Sequence, residues 1–201
     1  MVVAVKLQEP DKIKTLGQLR YDSKNNEEYI DWLRETPDRI MHHIIYTHHA
    51  FVKHELPMIG QVLFSILRTH GKKHQELFEI YLLFNDLKIE LEIHIVREEK
   101  LIFPAIMLYK GAKTNANRKQ LLERINEIEV ERRAAGDMIR DIRMLTEHFT
   151  LPMDACKTFA LAYKKLAETE NDIFQHIHIV KLFYLKTLKE YIEHGGFIYN
   201  S

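Results

Sequence analysis

The chain has 201 residues, with 29 Lys+Arg against 29 Asp+Glu, so its formal net charge is zero. That balance excludes a nucleic-acid or membrane-surface partner of the kind a basic excess would favour, and 7 Gly with 5 Pro exclude a disordered, collagenous or turn-rich β chain. A single cysteine, Cys156, excludes a disulfide framework and a Cys-based zinc or iron–sulfur site, whereas histidine is abundant at 12 copies.

The N-terminus, MVVAVKLQEP, has an apolar run broken at Lys6 and no small-residue cleavage site after it, so it does not read as a secretory signal. No stretch reaches the roughly 18 uncharged apolar residues of a membrane span, and the expectation is a cytoplasmic protein. Residues 1–35 read as an N-terminal arm, polar and mixed to residue 24, with a short helix from Asn25 to Arg34 around Trp32. Residues 36–201 read as four long helices. The first starts on Thr36-Pro37, an N-cap followed by Pro at the first helical position, and carries Ile45, His49, Val52 and Leu56 at helical spacing. Leu56-Pro57 predicts a kink, and Gly71 a stop after His70.

The second helix spans about Lys73–Tyr109, with Ile80, Leu83, Leu87, Leu91, His94 and Glu98 on one stripe and Pro104 near its end. The third runs from about Asn117 to Glu147, with Leu122, Ile125, Ile128, Arg132, Ala135, Ile139 and Ile142 inward. The fourth runs from about Pro152 to His194, with Phe159, Ala162, Leu166, Ile173, His176, Val180 and Phe183 inward, and ends at Gly195-Gly196. Four amphipathic helices with short connections predict an all-α, antiparallel up-down four-helix bundle.

The polar residues on these apolar stripes carry the chemistry, because a buried polar group is costly unless it is paired or metal-bound. His49 and His70 lie on the first helix. His94 and Glu98 form H-x-x-x-E on the second, an i, i+4 spacing that puts imidazole and carboxylate on one face. Arg132 lies on the third stripe and His176 on the fourth. Imidazoles and carboxylates from facing helices are how bundles build iron and manganese sites. His42, His43, His48, His54 and His74 read as surface residues or partners behind the ligands, His148 as a loop or capping residue, and His178 as facing away from His176. Asp172, four residues before His176, is placed to accept its N–H. Cys156 reads as a packing residue. No nucleophile–base arrangement is evident, so redox chemistry at iron is the one reaction class left open.

The runs HHIIYTHHAFVKHELP, THGKKHQEL, HIVREEKLIFPAI, LTEHFTLPMDAC and DIFQHIHIV resemble the hemerythrin-like (HHE) domain, and within it the repair-of-iron-centres family of di-iron proteins, over about residues 30–185. The resemblance implies a bundle holding iron, with ties to nitrosative and oxidative stress and to iron–sulfur cluster repair. It maps the family's ligands onto His49, His70, His94, Glu98, Arg132, His176 and Val180. Two of these depart from the family: its third-helix histidine is Arg132 in Glu131-Arg132-Arg133, and its fourth-helix His-x-x-x-Glu reads His176-Ile177-His178-Ile179-Val180. Residues 1–24 also lack the family's N-terminal cysteine pair.

Arginine keeps its proton and cannot ligate a metal. Two outcomes follow. Either His49, His94 and Glu98 hold a metal in a degenerate, mononuclear site open to dioxygen or nitric oxide, or the bundle is metal-free, a binding or regulatory protein with Arg132 paired to Glu98. The metal-ligand set is expected to be His49, His70, His94, Glu98 and His176, the cofactor one or two iron ions if any, and the oligomer a monomer or a homodimer.

Overall fold

A computed structural model describes residue 32 and residues 34–193, with side chains as far as residue 184. The chain divides into Met1–Asp31 and Trp32–Ser201, and only the second unit is described below. The arm expected at residues 1–24, most of the short helix around Trp32 and the stop at Gly195-Gly196 lie outside the described residues.

Four long helices make up the structure, and no strand occurs among the described residues. Helix α1 consists of three consecutive stretches, Pro37–His43, a π-helical Ile44–His49 and Ala50–His70. Helix α2 has the same composition: Glu76–Arg97, a π-helical Glu98–Ile102 and Phe103–Gly111. Helix α3 is Asn115–Leu145 and α4 is Lys157–Glu193. Among the described residues, no helix is long and apolar enough to cross a membrane.

Local chemistry sets the helix ends. The Thr36 hydroxyl accepts the Arg39 N–H at 3.3 Å, and Pro37 follows it where a missing donor costs nothing. The Thr114 hydroxyl accepts the Asn117 N–H at 3.1 Å and starts α3. Gly71 closes α1 for lack of space: its φ is −59°, and a Cβ there would meet the Leu67 carbonyl oxygen at 2.4 Å. Helix α2 starts later than Lys73 because the Lys73 and His74 N–H groups both turn back to the His70 carbonyl at 2.9 Å. Helix α3 stops short of Glu147, since Glu147, His148 and Phe149 take left-handed φ values of 47°, 59° and 63°. The Thr146 hydroxyl accepts the Phe149 N–H, and the Arg143 side chain donates to His148 Nδ1 at 3.0 Å across that turn.

The irregularity predicted at Pro57 does not interrupt Ala50–His70. It occurs instead as the two π turns. One of them has a proline behind it: Pro104 lacks an N–H and its ring crowds the carbonyl four residues back, and the wide turn Glu98–Ile102 lies just ahead of it, with the Phe103 N–H reaching the Glu98 carbonyl.

Helix α1 packs against α2 and α4, and α3 against α2 and α4. The connections are too short for any but antiparallel neighbours. The interior forms two apolar layers. One gathers Val52, Leu56, Leu63, Phe84, Leu91, Ile139, Phe159 and Ile173, and the other Ile40, Ile44, Ile102, Ile106, Ile128, Val180 and Phe183. His48 and His49 of α1, Glu98 of α2, Arg132 of α3 and His176 of α4 fall between the two layers in sequence. Phe84 is fully buried in the first layer, so Phe84→Ala should lower stability by about 3–5 kcal/mol in chemical denaturation.

Candidate metal centre

Between the apolar layers, Glu98 and His49 are fully buried and His94, Arg132 and His176 nearly so. His49 Nε2 and His176 Nε2 each lie 3.1 Å from the same carboxylate oxygen, Glu98 Oε2. The other oxygen, Oε1, accepts the Tyr184 hydroxyl at 3.0 Å. His94 Nε2 is 3.5 Å from Oε1, buried and without a hydrogen-bond partner. Ligand atoms of His49, Glu98 and His176 all fall within 4.8 Å of one another.

The π turns deliver these groups. In α1 the Ala50 N–H reaches the Ile45 carbonyl, one residue further back than in an α-helix. The wider turn brings the adjacent residues His48 and His49 both inside, 1% and 0% exposed. In α2 the neighbours Glu98 and Glu99 both reach His49: Glu99 Oε1 lies 2.9 Å from Nδ1 and also accepts Lys53 Nζ at 2.8 Å. A carboxylate on Nδ1 fixes the ring with its other nitrogen inward, the usual arrangement behind a metal-bound imidazole. Glu131 Oε2 lies 3.6 Å from His94 Nδ1, beyond hydrogen-bond distance, and Glu131 is paired with Arg97.

The donor set fits a metal ion. Neutral imidazole donates from one nitrogen only. With Nδ1–H of His49 given to Glu99, the Nε2 lone pair faces a carboxylate oxygen at 3.1 Å, a contact that repels unless a proton or a cation lies between. Burial works to raise the Glu98 carboxyl, but the charges of His176 and His94 and the hydrogen bonds from His176 and His49 win, and it stays well below its usual range. Burial lowers His176 in spite of Glu98 and so favours the neutral ring. Ionised carboxylate and neutral imidazole are the forms that bind metals, and two or three imidazoles with one carboxylate suit non-haem iron.

The remaining expectations divide. His70 does not join the cluster. Twenty-one helical residues separate it from His49, about 31 Å, and its Nε2 lies 3.3 Å from Cys156 Sγ at the other end of the bundle. The Arg132–Glu98 pair does not form. Arg132 Nη2 lies 2.6 Å from Glu129, and its guanidinium stands 5.1 Å over the Tyr184 ring. Val180 is buried in the second apolar layer. Asp172 takes His48 Nδ1 at 2.7 Å, not His176, because the π turn draws His48 inward. The rings of His43 and His176 flank His48, each at 5.5 Å. Cys156 is exposed ahead of α4, where the Phe159 N–H reaches its sulfur, and does not pack in the core.

Sequence reasoning missed Tyr184, Glu99, Glu131 and the inward turn of His48. The available signals were the doublets His48-His49 and Glu98-Glu99 beside Pro104, and the spacing of Tyr184 eight residues after His176.

The model of the hemerythrin HHE cation binding domain matches residues 40–181. The chain is 25% identical over 169 residues to "Iron-sulfur cluster repair protein YtfE" of Edwardsiella ictaluri, covering 84% of this chain and 73% of that protein. It is 26% identical over 166 residues to "Probable iron-sulfur cluster repair protein" of Haemophilus influenzae, covering 83% and 71%. With "Iron-sulfur cluster repair protein ScdA" of Staphylococcus epidermidis it shares 25% identity over 143 residues, 71% of this chain and 62% of the relative. The chain thus spans between 62% and 73% of these relatives' lengths. The matched span contains His49, His94, Glu98 and His176 and most of the chain, so the chain belongs to the hemerythrin HHE cation-binding domain family.

Proposed function

We propose that this chain is a non-haem iron-binding bundle of the iron–sulfur cluster repair type, acting in the cytoplasm under nitrosative or oxidative stress, with a centre that holds one ion. The observation that carries this reading is a single buried carboxylate oxygen with two imidazole nitrogens at 3.1 Å on it. The printed names of the relatives supply the repair context.

His49, His176 and Glu98 Oε2 would hold the ion, with His94 as a further nitrogen donor. Bound there, iron supplies one-electron redox chemistry and an open position for a small ligand such as dioxygen or nitric oxide. The chain's own residues do the rest. Glu99 orients His49 from behind. Tyr184 holds Glu98 Oε1, which leaves Oε2 to face the imidazoles. Arg132 puts a permanent positive charge, buried beside Tyr184, where the resemblance would place a histidine ligand, and Val180 offers a second ion no carboxylate. Like charges repel strongly in a dry interior, so the centre is mononuclear. A second reading, a metal-free binding or regulatory bundle, draws on the fact that Tyr184, His49 and His176 already give Glu98 hydrogen-bond partners.

Metal analysis after expression in iron-rich medium separates the readings. About one equivalent of iron per chain is expected; two equivalents overturn the mononuclear centre, and less than roughly a tenth overturns the metal reading. His49→Ala and His176→Ala should each lose the ion, whereas His70→Ala should retain it. Tyr184→Phe frees Glu98 Oε1 and should weaken the metal by about tenfold in a chelator competition while the fold melts nearly unchanged. Proton competition has a worked sign. Glu98 lies below its usual range and His176 below 6.5, so both keep their binding forms on acidification to that point. Protonation of Glu98 and His176 should therefore cost no iron affinity between pH 8 and about 6.5, as chelator competition across that range would check in a variant set that spares these two groups.

A further inference from the structure

At the end of the bundle away from the metal centre, two residues 86 positions apart in the chain meet. His70, the last residue of α1, places Nε2 3.3 Å from Sγ of Cys156, which immediately precedes α4. The thiol is exposed. It stands where a capping hydroxyl ordinarily stands: the Phe159 N–H donates to Sγ at 3.4 Å, and the Ala160 N–H to the Cys156 carbonyl at 3.0 Å. A thiol is a weak acceptor, whereas a thiolate is a strong one and gains from the positive end of a helix 37 residues long. The Phe159 N–H accordingly holds the thiol below its usual range, with Thr158 assisting.

The imidazole is fixed beside the sulfur. Its ring lies edge-on to Phe159, centroids 5.4 Å apart, and His74 packs on Phe159 at the same distance. His74 Nε2 pairs with Asp154 Oδ1 at 3.1 Å and its Nδ1 with Glu76 at 3.1 Å, while Lys73 Nζ pairs with Asp154 Oδ2 at 2.7 Å. These pairs tie the connection between α1 and α2 to the segment that carries the thiol. They also set the Asp154 carboxylate, two residues before Cys156, against Lys73 and His74, so that its charge does not stand alone against a thiolate.

We propose that Cys156 and His70 form a nucleophile–base pair that captures low-molecular-weight disulfides, a modification site separate from the metal centre. His70 Nε2 takes the Sγ proton, and the thiolate attacks one sulfur of the disulfide RS–SR. A bond forms between Sγ and that sulfur as the S–S bond breaks. The electron pair leaves on RS⁻, which His70 reprotonates to RSH. Cys156 is thereby oxidised to a mixed disulfide, and one sulfur of the reagent is reduced to a thiol. With a single cysteine in the sequence, no second thiol of the same chain expels the group, and the cap persists until an external thiol reverses it. The exchange needs no iron, and about 31 Å of helix separates His70 from His49.

The test follows the full chain reacting with dithiodipyridine, an aryl disulfide whose released thione absorbs in the near ultraviolet. An unassisted thiol ionises near pH 8.5, so its rate falls about a hundredfold from pH 10 to pH 6.5. The rate at Cys156 should fall less than about tenfold over that interval, and the chain unfolded in urea should show the ordinary profile. His70→Asn should steepen the fall by about threefold or more, yet match the unmodified protein within about twofold at pH 10, where the thiol ionises unaided. Iron content and melting temperature should be the same in both proteins. Oxidised glutathione should leave a mixed disulfide on Cys156 by mass spectrometry, released by dithiothreitol. A folded protein with the ordinary midpoint near pH 8.5 overturns the proposal. So does a profile identical in His70→Asn, or a folded chain inert to both disulfides whose unfolded form reacts.

Discussion

A carboxylate with no exposure at the centre of four packed helices is the constraint on which the rest of this molecule is arranged. An ion taken out of water costs several kcal/mol even after the protein relaxes around it. Glu98 takes a hydrogen bond from Tyr184 of α4 on one oxygen and faces His49 of α1 and His176 of α4 with the other. Each of those groups is in turn held or accompanied by another. Glu99 and Lys53 stand behind His49, and Arg132 covers the Tyr184 ring. Concentrating imidazoles on one oxygen produces an electron-rich pocket with too few protons, which is what a cation site requires.

The two apolar layers and the two π turns serve that centre. The layers clamp the helices above and below the polar level, so its geometry is set by packing on both sides. Each π turn widens its helix at the polar level, where His48 and His49 are both buried and Glu98 and Glu99 both reach His49. Irregular winding here is the means by which two neighbouring residues serve one site.

Arg132 and Val180 lie buried on the inward faces of α3 and α4. With Val180 the second layer closes as hydrocarbon, and Arg132 turns to Glu129 and the face of Tyr184.

The amino-acid sequence by itself determined the four helices, their inward faces and the polar residues that interrupt them, because a 3.6-residue period of apolar side chains and Thr-based caps are local properties. His49, His94, Glu98 and His176 were legible as a set for that reason, with the family motifs adding order and spacing. His70 shared the periodicity, and its place at the far end of the bundle follows from helix length, about 1.5 Å per residue. What only the tertiary structure decided was phase and partnership. The π turns that bring in His48 and Glu99, the choice of Asp172 for His48 and of Glu129 for Arg132, and the hydroxyl of Tyr184 on Glu98 all depend on where neighbouring helices stand, and a pattern read along one helix at constant pitch carries no information about its neighbours' height or rotation.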